Sequence, residues 1–179
     1  MAQPSSFDLK AYIRSIPDFP KPGILFRDIT PLLGNAEAFA EAIRQMADAV
    51  RDLGIQQIAA AEARGFLFAS ALALELGTGL VPIRKPGKLP YDTISHSYDL
   101  EYGTDTLQIH ADAVQQGAKV LVVDDLLATG GTIDACCKLV EKAGGIVAAC
   151  LFLVELVELG GAEKIKNYNK ISLIQFEGA

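Results

Sequence analysis

The segment Lys119–Thr132 constrains this chain more than any other. Val120-Leu121-Val122-Val123 is an unbroken apolar run, and it ends abruptly on two adjacent carboxylates, Asp124 and Asp125. That pattern predicts a buried strand over 119–124 that delivers both acids to the edge of a sheet. Leu126 and Leu127 lead into a loop of small and polar residues, Ala128-Thr129-Gly130-Gly131-Thr132, and the spacing beyond predicts a helix over 132–143, stopped by Gly144-Gly145. Strand, loop and helix in that order are half of a βαβ unit.

The rest of the chain repeats the alternation. Phe39, Ile43, Met46, Ala47, Val50 and Leu53 recur at three- and four-residue spacing, predicting a helix over 36–53 with Asn35 as N-cap and Gly54 as stop. Strands are expected at 55–61, 79–84, 146–155 and 171–176, and a second helix at 65–76. Phe7–Ile16 reads as a short helix. Pro17, Pro20, Pro22 and Gly23 then force an extended path to a short strand at 24–26. Residues 85–91 read as a loop, 93–102 as a strand pair or a mobile flap, and 107–110 as short and extended. The expectation is an α/β fold, a mostly parallel twisted sheet flanked by helices, in one domain over 1–179. Ligands in such sheets sit beyond the strands' carboxyl ends, here after Ala61, Arg84, Asp124 and Val154.

Composition narrows the partners. A net charge of −6 repels nucleic acid and anionic membranes, so neither is expected. The longest apolar run, Ile146–Val154, is far short of a membrane span of about 20 residues. Residues 1–7 lack the basic and apolar regions of a signal peptide. The three cysteines, Cys136, Cys137 and Cys150, have neither an even count nor a C-x-x-C spacing, and read as reduced, buried thiols. A cytoplasmic protein is expected.

The chemistry of 124–132 can be read from its residues. Amides at a helix start point outward without partners, backed by the positive end of the helix dipole. Glycines let the backbone approach a ligand closely, and Thr129 and Thr132 add hydroxyl donors. This is a cradle for a phosphate monoester. No lysine follows the glycines, which excludes a Walker loop, and there is no G-x-G-x-x-G. Carboxylates beside a phosphate would repel it unless vicinal hydroxyls donate to them. A ribose 5-phosphate meets both conditions, with its phosphate on Leu127, Ala128, Thr129, Gly130, Gly131 and Thr132 and its 2- and 3-hydroxyls on Asp124 and Asp125.

The acidic pair followed by A-T-G-G-T resembles the signature for 5-phosphoribosyl-1-pyrophosphate (PRPP) in the type I phosphoribosyltransferase family. The longer string VVDDLLATGGT is similar to that of its adenine-specific members. So are Phe19-Pro20-x-Pro22-Gly23-Ile24-Leu25-Phe26-Arg27-Asp28, Glu62-Ala63-Arg64-Gly65-Phe66, Arg84-Lys85-x-Gly87-Lys88-Leu89-Pro90 and Ser97-Tyr98-x-Leu100-Glu101-Tyr102-Gly103, in the same order. The resemblance implies purine salvage: adenine and PRPP give AMP and pyrophosphate. It implies that Arg64 meets pyrophosphate from a turn with a non-proline cis peptide near Glu62-Ala63. Lys85 and Lys88 would reach the same group, Lys88 from a neighbouring subunit of a homodimer. Residues 85–106 would form a flexible hood, with Glu101 handling the proton of the base and Tyr102 on the pyrophosphate side; an exposed glutamate on a hairpin is the plainer reading of Glu101. Residues 1–34 would build the base pocket, with Leu25, Phe26 and Arg27 as one wall and Leu126 and Leu156 as apolar contacts. Mg2+ would be held mainly by PRPP and water, with no direct protein ligand. His96 and His110 are assigned no catalytic role.

The choice of base has one support in the residues. A 6-oxopurine needs a donor for its oxygen, yet 146–155 contains no basic residue, which favours a 6-amino base. A phosphoribosyltransferase for another purine, or a non-catalytic PRPP-sensing regulator, are the alternatives. Regulators of that kind carry a DNA-binding domain or a basic face, and neither a winged-helix extension nor a basic net charge is expected here.

Overall fold

A computed structural model describes residues 7–99 and 103–178. In chain order the elements are β1 (Arg14–Pro17), β2 (Leu25–Asp28), α1 (Thr30–Gly34), α2 (Ala36–Val50), β3 (Gln57–Ala61), α3 (Gly65–Leu76), β4 (Gly79–Ile83), β5 (Thr93–Asp99), β6 (Thr104–His110), β7 (Lys119–Leu127), α4 (Gly131–Lys142), β8 (Ile146–Leu156), α5 (Gly161–Lys164) and β9 (Lys170–Phe176). Five strands pair in parallel in the order β4-β3-β7-β8-β9. The chain winds outward one way through α3 to β4 and the other way through α4 to β8 and β9. The reversal falls between β3 and β7, so the loops leaving those two strands diverge and open a crevice between them.

Side-chain alternation explains why helices cover both faces. Ile58, Ala60, Leu121 and Val123 pack in one buried cluster with Met46, Ala47, Phe68 and Leu72 of α2 and α3. Their neighbours Ala59, Ala61, Val120 and Val122 pack in a second cluster with Ile133, Cys136, Cys137 and Val140 of α4. Central strands buried on both sides need continuous apolar runs, which is the pattern the sequence carries. At the start of α2, Asn35 Oδ1 accepts the Ala38 amide at 2.9 Å, the expected N-cap, and Gly54 beyond its end has φ 68°.

Two of the departures from expectation have a direct physical cause. Phe7–Ile16 is not a helix. A single 3-10 turn, Leu9–Tyr12, is capped by Asp8, and Arg14–Pro17 is a strand paired antiparallel with Leu25–Asp28. That long-range pairing overrides the local helical pattern. The β7 strand also runs past the acidic pair to Leu127, because Leu126 and Leu127 pair with Val154 and Glu155 of β8. The loop before α4 is therefore only Ala128–Gly130. Within 93–102 the described residues 93–99 form one strand, β5, and its partner β6 begins only at Thr104, three residues before the short extended stretch expected at 107–110. β5 and β6 form an antiparallel hairpin, and a bridge between Arg84 and Gln108 fastens it near the end of β4. No described helix is long and apolar enough to cross a membrane.

Candidate active site

A cavity of about 440 Å³ opens at the sheet's reversal point. Glu62, Ala63 and Arg64 line it from the turn after β3, and residues 124–133 line it from the end of β7 and the start of α4. The sheet thus brings together two segments about sixty residues apart that the sequence marked separately.

The Ala128–Thr132 side of the cavity is built largely from backbone. Gly130 sits at φ 80°, a left-handed conformation that glycine adopts freely, and α4 begins after it with no side chain capping its first amides. Those amides face the cavity as unused donors. The Leu127 side chain is buried in the core, so only its backbone is available to a ligand. The loop rests on a partner that sequence reasoning missed. A Cβ on Gly161 would collide with the Ala128 carbonyl, and one on Gly130 would come within 2.6 Å of the Gly161 carbonyl. The signal was the Gly160-Gly161 pair: Gly160 stops the 3-10 turn Val157–Leu159 with φ 66°, which leaves Gly161 with no stop role of its own.

The acids are held differently from one another. Asp125 is 3% exposed and accepts Arg64 Nε at 2.7 Å. That pairing satisfies a cation placed at the unfavourable end of α3. Asp124 Oδ1 accepts the Asp125 amide at 2.9 Å. Burial, and then the neighbouring Asp125 charge, push the Asp124 carboxyl well above the usual carboxylate range. Gly65 leaves it room, since a Cβ there would lie 3.0 Å from Asp124 Oδ1.

The turn after β3 carries a cis peptide at Glu62–Ala63, as the resemblance implied. Glu62 organises the basic segment. It accepts the Lys85 amide at 2.7 Å and Arg84 Nη2 at 3.4 Å. The Lys85 amide chiefly, helped by Arg84, holds its carboxyl below the usual range. Lys85 Nζ lies 3.2 Å from Asp105 on β6, and Lys88 is exposed. Neither lysine lines the cavity. Glu101 and Tyr102 lie outside the described residues.

The base-pocket residues are only partly brought together. Leu126 lines the cavity, whereas Leu25, Phe26, Arg27 and Leu156 do not. Leu25, Phe26 and Arg27 are half-buried on β2, with Phe26 edge-on to Phe19 at 5.1 Å. The Arg27 guanidinium is occupied elsewhere: it lies 4.1 Å from the Phe176 ring centroid and donates to Ser15 and to the Gly178 carbonyl. Its backbone is what remains for a ligand.

With that geometry, the comparisons are decisive. A model of the phosphoribosyl transferase domain matches residues 31–176. The adenine phosphoribosyltransferase of Thermoanaerobacter sp. strain X514 is 58% identical over 169 residues, 94% of this chain and 98% of that protein. The chain belongs to the adenine phosphoribosyltransferase family. Two crystal structures extend the match within that family. The Thermoanaerobacter pseudethanolicus enzyme superposes with a TM-score of 0.91 at 58% identity, covering 94% of this chain and 98% of that one. The Saccharomyces cerevisiae enzyme, complexed with an imino-altritol bisphosphate and adenine, does so with 0.86 at 38%, covering 92% and 95%. The family places this molecule among enzymes with the type I phosphoribosyltransferase fold.

Proposed function

We infer that this enzyme joins adenine to PRPP in purine salvage, making AMP and pyrophosphate. The observation that carries the reading is the meeting of three features in one cavity: the Asp124–Asp125 pair, the uncapped start of α4, and Arg64 opposite them. The sugar hydroxyls donate to the carboxylates, and the 5-phosphate accepts from the amides of 128–132 and the threonine hydroxyls. N9 of adenine attacks C1 of the ribose with inversion as the bond from C1 to pyrophosphate breaks. The charge gathering on pyrophosphate falls near Arg64, Lys85 and Lys88. By the family resemblance, Glu101 takes the proton that N9 loses and Tyr102 acts on the leaving pyrophosphate. Leu25, Phe26 and Arg27 present backbone to the purine edge, with Leu126 and Leu156 against its face.

Phosphoribosyltransferases generally use Mg2+ with PRPP. The carboxylates here fit an ion carried by substrate rather than caged by protein. Glu62 is committed to Arg84 and the Lys85 amide, and Asp125 to Arg64. Mg2+ would supply charge neutralisation on the pyrophosphate and ribose oxygens. The relatives named for adenine and the lack of a basic residue in 146–155 together support the amino base. We place the enzyme in the cytoplasm, where the free thiols of Cys136, Cys137 and Cys150 stay reduced.

The test is the double variant Asp124→Asn with Asp125→Asn. Steady-state turnover should fall by a factor on the order of 100 or more, with the far-ultraviolet circular dichroism unchanged. Near-normal turnover in that variant would sink the site assignment.

A further inference from the structure

The β5–β6 hairpin reaches both anion-binding sides of the cavity through two side chains that do not line it. Tyr98 and Asp105 are direct cross-strand partners. Tyr98 is 9% exposed, and its ring lies over the start of α4, 3.5 Å from where a Cβ on Gly131 would sit. Its hydroxyl is 3.3 Å from Thr132 Oγ1. Asp105 accepts the Thr106 amide at 2.8 Å and pairs with Lys85 Nζ at 3.2 Å. One hairpin register therefore sets a threonine of the phosphate loop and a lysine of the pyrophosphate side.

We propose that Tyr98 and Asp105 are positioning residues: Tyr98 orients the Thr132 hydroxyl toward the 5-phosphate, and Asp105 holds Lys85 until pyrophosphate displaces it. The proposal rests on the ribose-phosphate reading above. A phosphate dianion only accepts hydrogen bonds, so Thr132 must give it its single hydroxyl proton. In the chain without substrate either hydroxyl of the pair can donate, and Asp105 also takes a hydrogen bond from Tyr98. Once the phosphate claims the threonine proton, donation from tyrosine to the free lone pair of Thr132 Oγ1 holds that hydroxyl in place. Burial raises the Tyr98 pKa, so this donor keeps its proton at neutral pH. On the other side, the Lys85 side chain is 56% exposed, and an ion pair that open is weak. It keeps the ammonium near the site yet yields to pyrophosphate, which carries more charge. The Thr106 amide first, and then Lys85, hold the Asp105 carboxyl below its usual range, so it is ionised whenever the enzyme works.

The experiment uses Tyr98→Phe and Asp105→Asn in the full chain. It measures KM for PRPP and for adenine, and inhibition by ribose 5-phosphate and by pyrophosphate. Tyr98→Phe should raise KM for PRPP and the inhibition constant of ribose 5-phosphate about three- to tenfold. Its KM for adenine and its inhibition by pyrophosphate should stay within about twofold of wild type. Asp105→Asn should do the reverse: pyrophosphate inhibits at a several-fold lower concentration, and ribose 5-phosphate is unaffected. An unchanged KM for PRPP in Tyr98→Phe, or equal weakening of both inhibitors, overturns the Tyr98 assignment. Unchanged pyrophosphate inhibition in Asp105→Asn overturns the other. Should Tyr98→Phe also lower the melting temperature, a cycle with Thr132→Val decides. Non-additive losses support the proposal, and additive losses overturn it. Absence of turnover with PRPP in the wild type would instead be a failure of the underlying reading.

Discussion

Burial and the adjacent Asp125 charge raise the Asp124 carboxyl, so the folded chain without substrate works against its ionisation. The sign follows from linkage. A carboxyl raised above its unfolded value contributes stability below the unfolded pKa near 3.9, and loses it as pH rises through the folded value. At neutral pH Asp124 is therefore a destabilising group. Asp124→Asn should raise the melting temperature at pH 7, by about 2–4 °C per ~1 kcal/mol recovered, and abolish ribose binding. At pH 3 the stability difference should vanish, which thermal unfolding at both pH values checks. Gly161 is a site residue of another sort, since it touches no ligand and sets where the phosphate loop lies. Gly161→Ala would drive a Cβ into the Ala128 carbonyl. KM for PRPP should rise roughly 10- to 100-fold, because a displacement near 1 Å misaligns the amides. Steady-state kinetics with adenine held saturating reads it.

At the scale of elements, β8 and β9 are tied together by a buried ion pair. Glu155 is 3% exposed, with Lys170 Nζ at 2.6 Å from both carboxylate oxygens and Gln175 Nε2 at 3.0 Å. Burial pushes its carboxyl up, and the Lys170 ammonium with Gln175 and Ser172 outweigh that, leaving it below the usual range. Lys170→Met leaves a buried, uncompensated carboxylate and should cost on the order of 2–3 kcal/mol at pH 7. A lowered carboxyl contributes stability above its unfolded pKa, lost as pH falls through the folded value. The cost should therefore shrink toward pH 3 in urea unfolding. The legibility of the sequence divides at this scale. Strands such as β3 and β8, and helices such as α2 and α3, follow from apolar period, because their burial is dictated by their own residues. The end of β7 does not, since its extension to Leu127 depends on β8 alongside. Arg14–Pro17 does not either, because its strand exists only through pairing with β2. The same reason hid Gly161 and Asp105. Their roles lie in contacts with residues about twenty to thirty positions away, and one sequence does not display a contact. Asp124, Asp125 and Arg64 were visible because two strand ends advertised them. The base wall rested on resemblance, and the geometry leaves Arg27 only its backbone to offer.

At the scale of the molecule, α3 is apolar over most of its circumference, broken only by Ser70 and Glu75, yet Leu74 is 86% exposed and Leu67 45% exposed. A helix of that composition is expected to be buried on every side. We assign its open face, which forms an apolar cavity with Leu33 and Phe39, to a second copy of the chain. An interface there would take in α3, which Arg64 precedes as N-cap, and would accord with Lys88 acting across it. Leu74→Glu should convert a homodimer to monomer in light scattering, and a wild type that runs as a monomer would contradict the assignment. The sheet's reversal point brings the Glu62–Arg64 turn to the Asp124–Thr132 segment, and everything proposed for catalysis depends on that meeting. The most direct test of the whole account is product formation from PRPP with Mg2+ and a panel of bases, adenine, hypoxanthine, guanine and xanthine, each scored for nucleotide and pyrophosphate. The account expects AMP and pyrophosphate in equal amounts from adenine, with the 6-oxopurines slower by at least ~100-fold. Preference for guanine or hypoxanthine, or PRPP bound without turnover of any base, would contradict it.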